Sequence, residues 1–214
     1  MIVIILSTYE RPNRRRVGNS MRSRRPFYRL GGLALVLGAL MFSLTKARGY
    51  VDPDDSLLGY FMFTAFTLWL VGLATLYSRY GPVSGQLGKS GLGIAVVGVL
   101  LLAVGHRFTF MGEVDLFMIV ILGGFALMLG PFLFGIAVLQ REVLPRYGRA
   151  MPLFTGLMGF AWFFFTNSES NQFSFMFFRS LFALGWILLG YVLWSDAREI
   201  IEDPSTAGLE EAKI

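Results

Sequence analysis

The chain has 214 residues, of which 55% are hydrophobic and only 15% charged, and phenylalanine alone supplies 21. A soluble domain carries about a quarter charged residues; this balance, with a mean hydropathy of +0.60, excludes a water-solvated globular fold and makes lipid the bulk surroundings. The absence of cysteine rules out disulfides, thiolate chemistry, iron–sulfur clusters and cysteine zinc sites, and the single histidine, His106, cannot build a multi-histidine metal or bis-histidine haem centre within one chain.

In chain order, Met1 to Leu6 is apolar but too short to span a bilayer, and the polar, Arg-rich stretch from Thr8 to Ser20 follows it. A secretory signal has charge before its apolar core, the reverse of this order. Met21 then opens a short basic leader and an immediate apolar helix, the pattern of a natural start. Residues 1–26 are therefore expected to be a basic, disordered cytoplasmic segment, with 1–20 either an extension or an over-extended gene start.

Six apolar stretches follow, about 28–45, 57–77, 87–106, 116–139, 151–166 and 173–194. A hydrocarbon core about 30 Å thick needs roughly 20 helical residues. The runs lack the period-two alternation of barrel strands, so backbone groups must pair within each segment. The expected fold is an all-α polytopic membrane protein, a six-transmembrane-helix bundle occupying 27–195. Spans recur about every 60 residues per helical hairpin, so the helices read as three tandem hairpins. Arg29, Gly31, Val36, Gly38 and Leu40 align with Lys89, Gly91, Val96, Gly98 and Leu100, and Arg79-Tyr80-Gly81 matches Arg146-Tyr147-Gly148, a pattern open to duplication or to chance.

The net charge of +5 would suggest nucleic acid in a soluble protein, but here the basic residues flank the spans and report orientation. With six spans, 15 Lys and Arg fall on the side of the termini and 3 on the other, with Arg179 inside the last span. Cytoplasmic loops hold the excess of positive charge. Both termini are therefore expected in the cytoplasm, the protein in the cell membrane, and the acidic stretch 196–214 to be a cytoplasmic tail, its first turns open to continuing the sixth helix and the rest solvated.

The spans are rich in glycine, which lets helix backbones approach. In the fourth, Gly130-Pro131 removes an amide donor and is a candidate kink that could line a cavity or be tolerated in a static bundle. Gly85 to Ser90 ends like a phosphate-binding loop but has Val83 where that motif needs glycine, and no soluble α/β domain surrounds it. The acids Asp52, Asp54 and Asp55 around Pro53 could hold a hard cation but read better as a solvated turn capping the second span.

The run Phe134 to Leu139, then Arg141 and Leu144-Pro145-Arg146-Tyr147-Gly148, resembles the turn between helices in many small multi-pass bacterial membrane proteins of unassigned activity. The resemblance covers a short part of the chain and implies a helix ended by Pro145, a turn at the cytoplasmic face and a Gly-rich helix beyond. It carries over no functional residue.

One polar cluster remains, expected on the non-cytoplasmic side: His106 and Arg107 after the third span, Glu113 and Asp115 before the fourth, Glu169 with Asn167 and Asn171 before the sixth, and Arg179 about two turns inside it. A central Arg costs about 2.5–3.5 kcal/mol to insert and marks a functional candidate. Arg179 either snorkels to the headgroups, pairs with Asp115, Glu113 or Glu169, or faces a cavity as an anion site. No paired carboxylates, nucleophilic triad or metal-ligand set lies in a span, so neither catalysis, metal nor cofactor is expected. The leading expectation is a structural or accessory membrane component, surrounded by the lipid bilayer and packed against copies of itself or a membrane protein partner, without nucleic acid. A small transporter or channel with a pathway near Pro131 and Arg179 is the alternative, and a lipid-modifying enzyme a more distant one.

Overall fold

The computed structural model describes residues 14–51, 57–110, 116–166 and 172–202, with side chains placed in 26–45, 59–108, 116–164 and 173–196. All six elements are helices: α1 (Arg14–Val51), α2 (Leu57–Tyr80), α3 (Gly85–Phe110), α4 (Phe117–Arg141), α5 (Met151–Thr166) and α6 (Gln172–Glu202). Among the described residues there is no strand. Among the described residues five helices are long and apolar enough to cross a membrane, while α5 contributes the shorter apolar stretch Met151–Phe164. At 1.5 Å per residue its 16 residues reach about 24 Å, less than a typical hydrocarbon core.

Each helix packs on the next in sequence, and α6 also packs on α1. The six helices thus form a closed ring. Neighbours run antiparallel: α1 meets α6 at Gly32 and Gly190 and again, far along both helices, at Phe42 and Arg179. We call the end where α1 begins and α6 finishes the proximal end, and the opposite one the distal end.

Glycine sets the closest of these contacts. A Cβ built at Gly91 would lie 2.8 Å from the Gly130 carbonyl oxygen, and one at Gly98 would lie 2.8 Å from that of Gly123. Both pairs are seven residues apart on their own helix, two helical turns, so one glycine seam runs down α3 and another up α4. In lipid, helices gain little from burying apolar surface against each other, and close van der Waals packing is what holds them. Gly93 and Gly124 lie off these seams, and a Cβ at either would meet no atom within 4 Å. Contacts within the bundle account for the seam glycines and not for these two.

Inside the ring the axis is filled by rings. Trp69, Trp186, Phe66, Phe182 and Phe42 are essentially inaccessible. Trp69 and Trp186 stack with centroids 5.1 Å apart, and Phe182 meets Trp69 edge-on at 6.0 Å. Most span hydroxyls are absorbed locally: those of Thr64, Thr67, Thr75 and Thr155 donate to the carbonyl four residues back, at 2.8–2.9 Å.

At the proximal end Asp196 Oδ2 accepts bonds from Arg79 Nη2 at 2.9 Å, Arg79 Nε at 3.2 Å and the Tyr80 hydroxyl at 2.9 Å. The Arg79 guanidinium also lies 5.3 Å from the Tyr28 ring centre, so one cluster joins α1, α2 and α6. Asp196 therefore belongs to the bundle, in the first turns after the span, where α6 runs on to Glu202. The pair is partly exposed, and screening limits what it contributes. Asp196→Asn should lower stability by about 1 kcal/mol, and a double-mutant cycle with Arg79→Gln should return most of that as coupling. Additive single effects would show the pair to be idle.

The structure departs from expectation in two places. Helix α1 begins at Arg14, reaching back into the segment expected to be disordered, and carries Pro26 inside it. Helix α4 stops at Arg141 because Glu142 turns left-handed (φ 53°), ahead of Pro145. The Leu144 to Gly148 turn then folds onto α6: Leu144 is buried, and the Tyr147 hydroxyl lies 2.9 Å from Ser195 Oγ. Pro131 stands inside α4, which runs on past it to Arg141.

Candidate binding cavity

Near the distal end the aromatic filling gives way to a cavity of about 250 Å³. Every helix contributes to its wall: Phe42 of α1, Phe66 of α2, His106 of α3, Leu127 of α4, Trp162 of α5 and Arg179 of α6. From α4 come Phe117, Val120, Ile121, Gly124 and Met128 as well, one helical face at spacings of three and four. Among the described residues the wall is apolar and aromatic apart from His106 and Arg179.

Arg179 is only 6% exposed, so it does not turn outward to the headgroups, the first of the fates expected for it. One guanidinium nitrogen donates to the Phe42 carbonyl oxygen and, at 2.9 Å, to Thr45 Oγ1. The Thr45 hydroxyl donates in turn to the Phe42 carbonyl at 2.6 Å, with Met62 Sδ at 3.1 Å. The Phe42 carbonyl oxygen thus takes both the guanidinium and the Thr45 hydroxyl. The guanidinium carbon sits 3.8 Å from the Phe42 ring centre and 5.6 Å from that of Trp162. Stacking over an aromatic face favours a cation, most strongly where water is excluded.

His106 is half-buried, its ring centre 5.1 Å from that of Phe66. Its Nδ1 lies 2.9 Å from the Leu102 carbonyl oxygen. A carbonyl can only accept, so Nδ1 carries the proton and the ring is fixed in plane.

Of the cluster expected from sequence, the structure brings Arg179 and His106 to one cavity. Arg107 is exposed and lines no part of it. Glu113, Asp115 and Glu169, like Asn167, Asn171 and the acids of 52–55, lie outside the described residues. Gly130 and Pro131 are buried in α4 and are not among the described residues that line this cavity. Among the described residues no three His, Asp or Glu side chains gather to hold a metal ion. Sequence reasoning passed over Thr45 and Phe42, the residues that orient Arg179. A threonine near a span end and a phenylalanine inside one carry no signal of their own.

No family model matches the chain, and no curated protein or solved structure matches it either.

Proposed function

We propose that this chain is a non-catalytic, non-conducting component of the cell membrane, accessory to another membrane protein or to further copies of itself. The observation that carries the reading is the filled axis. Between the distal cavity and the proximal Arg79–Asp196 cluster stand the stacked indoles of Trp69 and Trp186 with Phe182, all inaccessible. Ion or solute passage needs a polar or water-lined route, and rings packed at van der Waals contact offer none. The rim of the bundle is apolar: Leu30, Leu33, Leu37, Leu40 and Leu44 are exposed along one face of α1, fit for lipid or for another helix.

The N-in, C-in orientation is part of this proposal. It is supported by Arg79, Arg141, Arg146 and Arg149, which belong to the connections at the proximal end, as the positive-inside bias requires. The pairing into three hairpins is supported by Gly31 and Gly38 of α1, which face Thr75 and Trp69 of α2 as Gly91 and Gly98 of α3 face α4.

Flux and mass measurements test the reading. Purified protein in liposomes should pass potassium, protons and small solutes no faster than protein-free liposomes. In mild detergent the particle mass should exceed that of one chain, through self-association or a co-purifying membrane protein. Saturable flux that Arg179→Ala abolishes would replace this reading with the transporter one, for which the distal cavity would be the loading site.

A further inference from the structure

We propose that the proximal edge of α3 binds one anionic phospholipid, its phosphate held by Lys89 and Arg141 and an acyl chain laid along the outer face of the helix at Gly93. The inference goes beyond the accessory role and does not depend on it, since it needs only helices that stand in a bilayer.

Charge comes first. Glu142 and Asp196 are the two acids whose side chains are placed among the described residues, and each already serves a cation: Asp196 bonds Arg79 at 2.9 Å and Glu142 bonds Arg149 at 2.8 Å. Among the described residues Lys89 and Arg141 have no such partner. A phosphate oxygen is an acceptor that both can use, the guanidinium as a planar fork and the ammonium as a point charge.

Placement comes second. A Cβ on Gly85 would lie 2.7 Å from two nitrogens of the Arg141 guanidinium, so this group rests on the α3 backbone, and glycine is what admits it. Lys89 is exposed one turn further along α3. A helical side chain leans toward the N-terminus of its own helix, so the ammonium extends toward the level of Gly85, where the guanidinium lies.

The helix face beneath supplies the seat for the chain. Lys89, Gly93, Val97, Leu100 and Val104 follow at spacings of three and four, which puts them on one face of α3. Val97, Leu100 and Val104 are exposed, and a Cβ at Gly93 would meet nothing within 4 Å. Glycine weakens a helix interior, and at Gly93 it brings no other helix closer. What it leaves is a dent in an apolar face, one turn beneath a cation. A negative headgroup above and a hydrocarbon chain below are together the chemistry of a phospholipid, whereas a free anion would use the upper half alone.

Full-length protein in a mild detergent is titrated with phosphatidylglycerol, or with phosphatidylcholine of the same chains, and lipid-bound species are measured by native mass spectrometry. The first phosphatidylglycerol should bind about tenfold or more tighter than phosphatidylcholine, as two cations at a membrane surface imply. Lys89→Gln and Arg141→Gln should each weaken it about fivefold, and the double variant should erase the preference for the anionic lipid. Arg146→Gln, which removes an exposed cation of the same rim, should leave both affinities as they were. Gly93→Leu, which fills the dent, should weaken both lipids by a similar factor. Equal binding of the two lipids, a loss in Arg146→Gln as large as in Lys89→Gln, or unaltered affinity in Gly93→Leu would each overturn the proposal. Displacement of the lipid by inorganic phosphate alone would overturn it too, by assigning the cations to a free anion.

Discussion

Arg179→Met should lower the thermal stability of the bundle more than any other single polar substitution, by about 3 kcal/mol. The guanidinium is the donor that ties α6 to α1 at Phe42 and Thr45, and it lies over the Phe42 ring. Methionine restores the volume and removes the charge, which by itself recovers desolvation cost. It also strips donors from buried acceptors, and each such loss costs about 1–3 kcal/mol. The second effect should win because the acceptors stay behind. Arg179→Lys keeps the charge but loses the planar fork and the stacking, and should recover less than half of the deficit. Unfolding followed by intrinsic fluorescence or circular dichroism in one detergent compares the three proteins. A methionine variant as stable as the wild type would mean that Arg179 is tolerated in the bundle rather than holding it.

A matched pair of alanines on α3 should give the other large effect. Gly98→Ala puts a methyl group 2.5 Å from the Leu127 nitrogen and 2.8 Å from the Gly123 carbonyl oxygen. Backbone cannot swing aside as a side chain can, so α3 and α4 must separate along their whole contact, at about 2–3 kcal/mol. Gly93→Ala meets nothing within 4 Å and improves helix propensity, so it should stabilise by about 0.5–1 kcal/mol. The two variants differ only in which face of one helix receives the methyl. Thermal shifts of the same sign and size at both positions would mean that the glycine seam does not set the helix separation.

The helices were legible because lipid imposes a rule of length: a backbone that cannot bond to solvent must close its own hydrogen bonds over about 20 residues. That rule placed α2, α3, α4 and the start of α6 to within a few residues, and said nothing of how they are arranged around one another. Gly91, Gly98, Gly123 and Gly130 do record their contact, since the seven-residue spacing on both helices puts each pair on one face. Gly93 and Gly124, one or two residues away, look the same in composition and do another job or none. Arg179 was conspicuous because a cation among phenylalanines has few explanations. Its acceptor was not, since every residue has a carbonyl and only the packing of α6 on α1 selects that of Phe42. Nor does any pattern mark a void, because a cavity is what the surrounding side chains fail to fill.

Ring closure has a consequence for how the protein is made. Chains emerge from the ribosome N-terminus first, so α1 enters the membrane long before α6 exists. Until the last helix arrives, Gly32 lacks the backbone of Gly190 that closes over it, and the carbonyl of Phe42 waits for a donor 137 residues downstream. Every intermediate of synthesis is an open arc with two unsealed flanks, and the final helix completes it in one step. Release of a chain shortened before α6 should therefore leave material that is captured by membrane quality control rather than a smaller stable bundle.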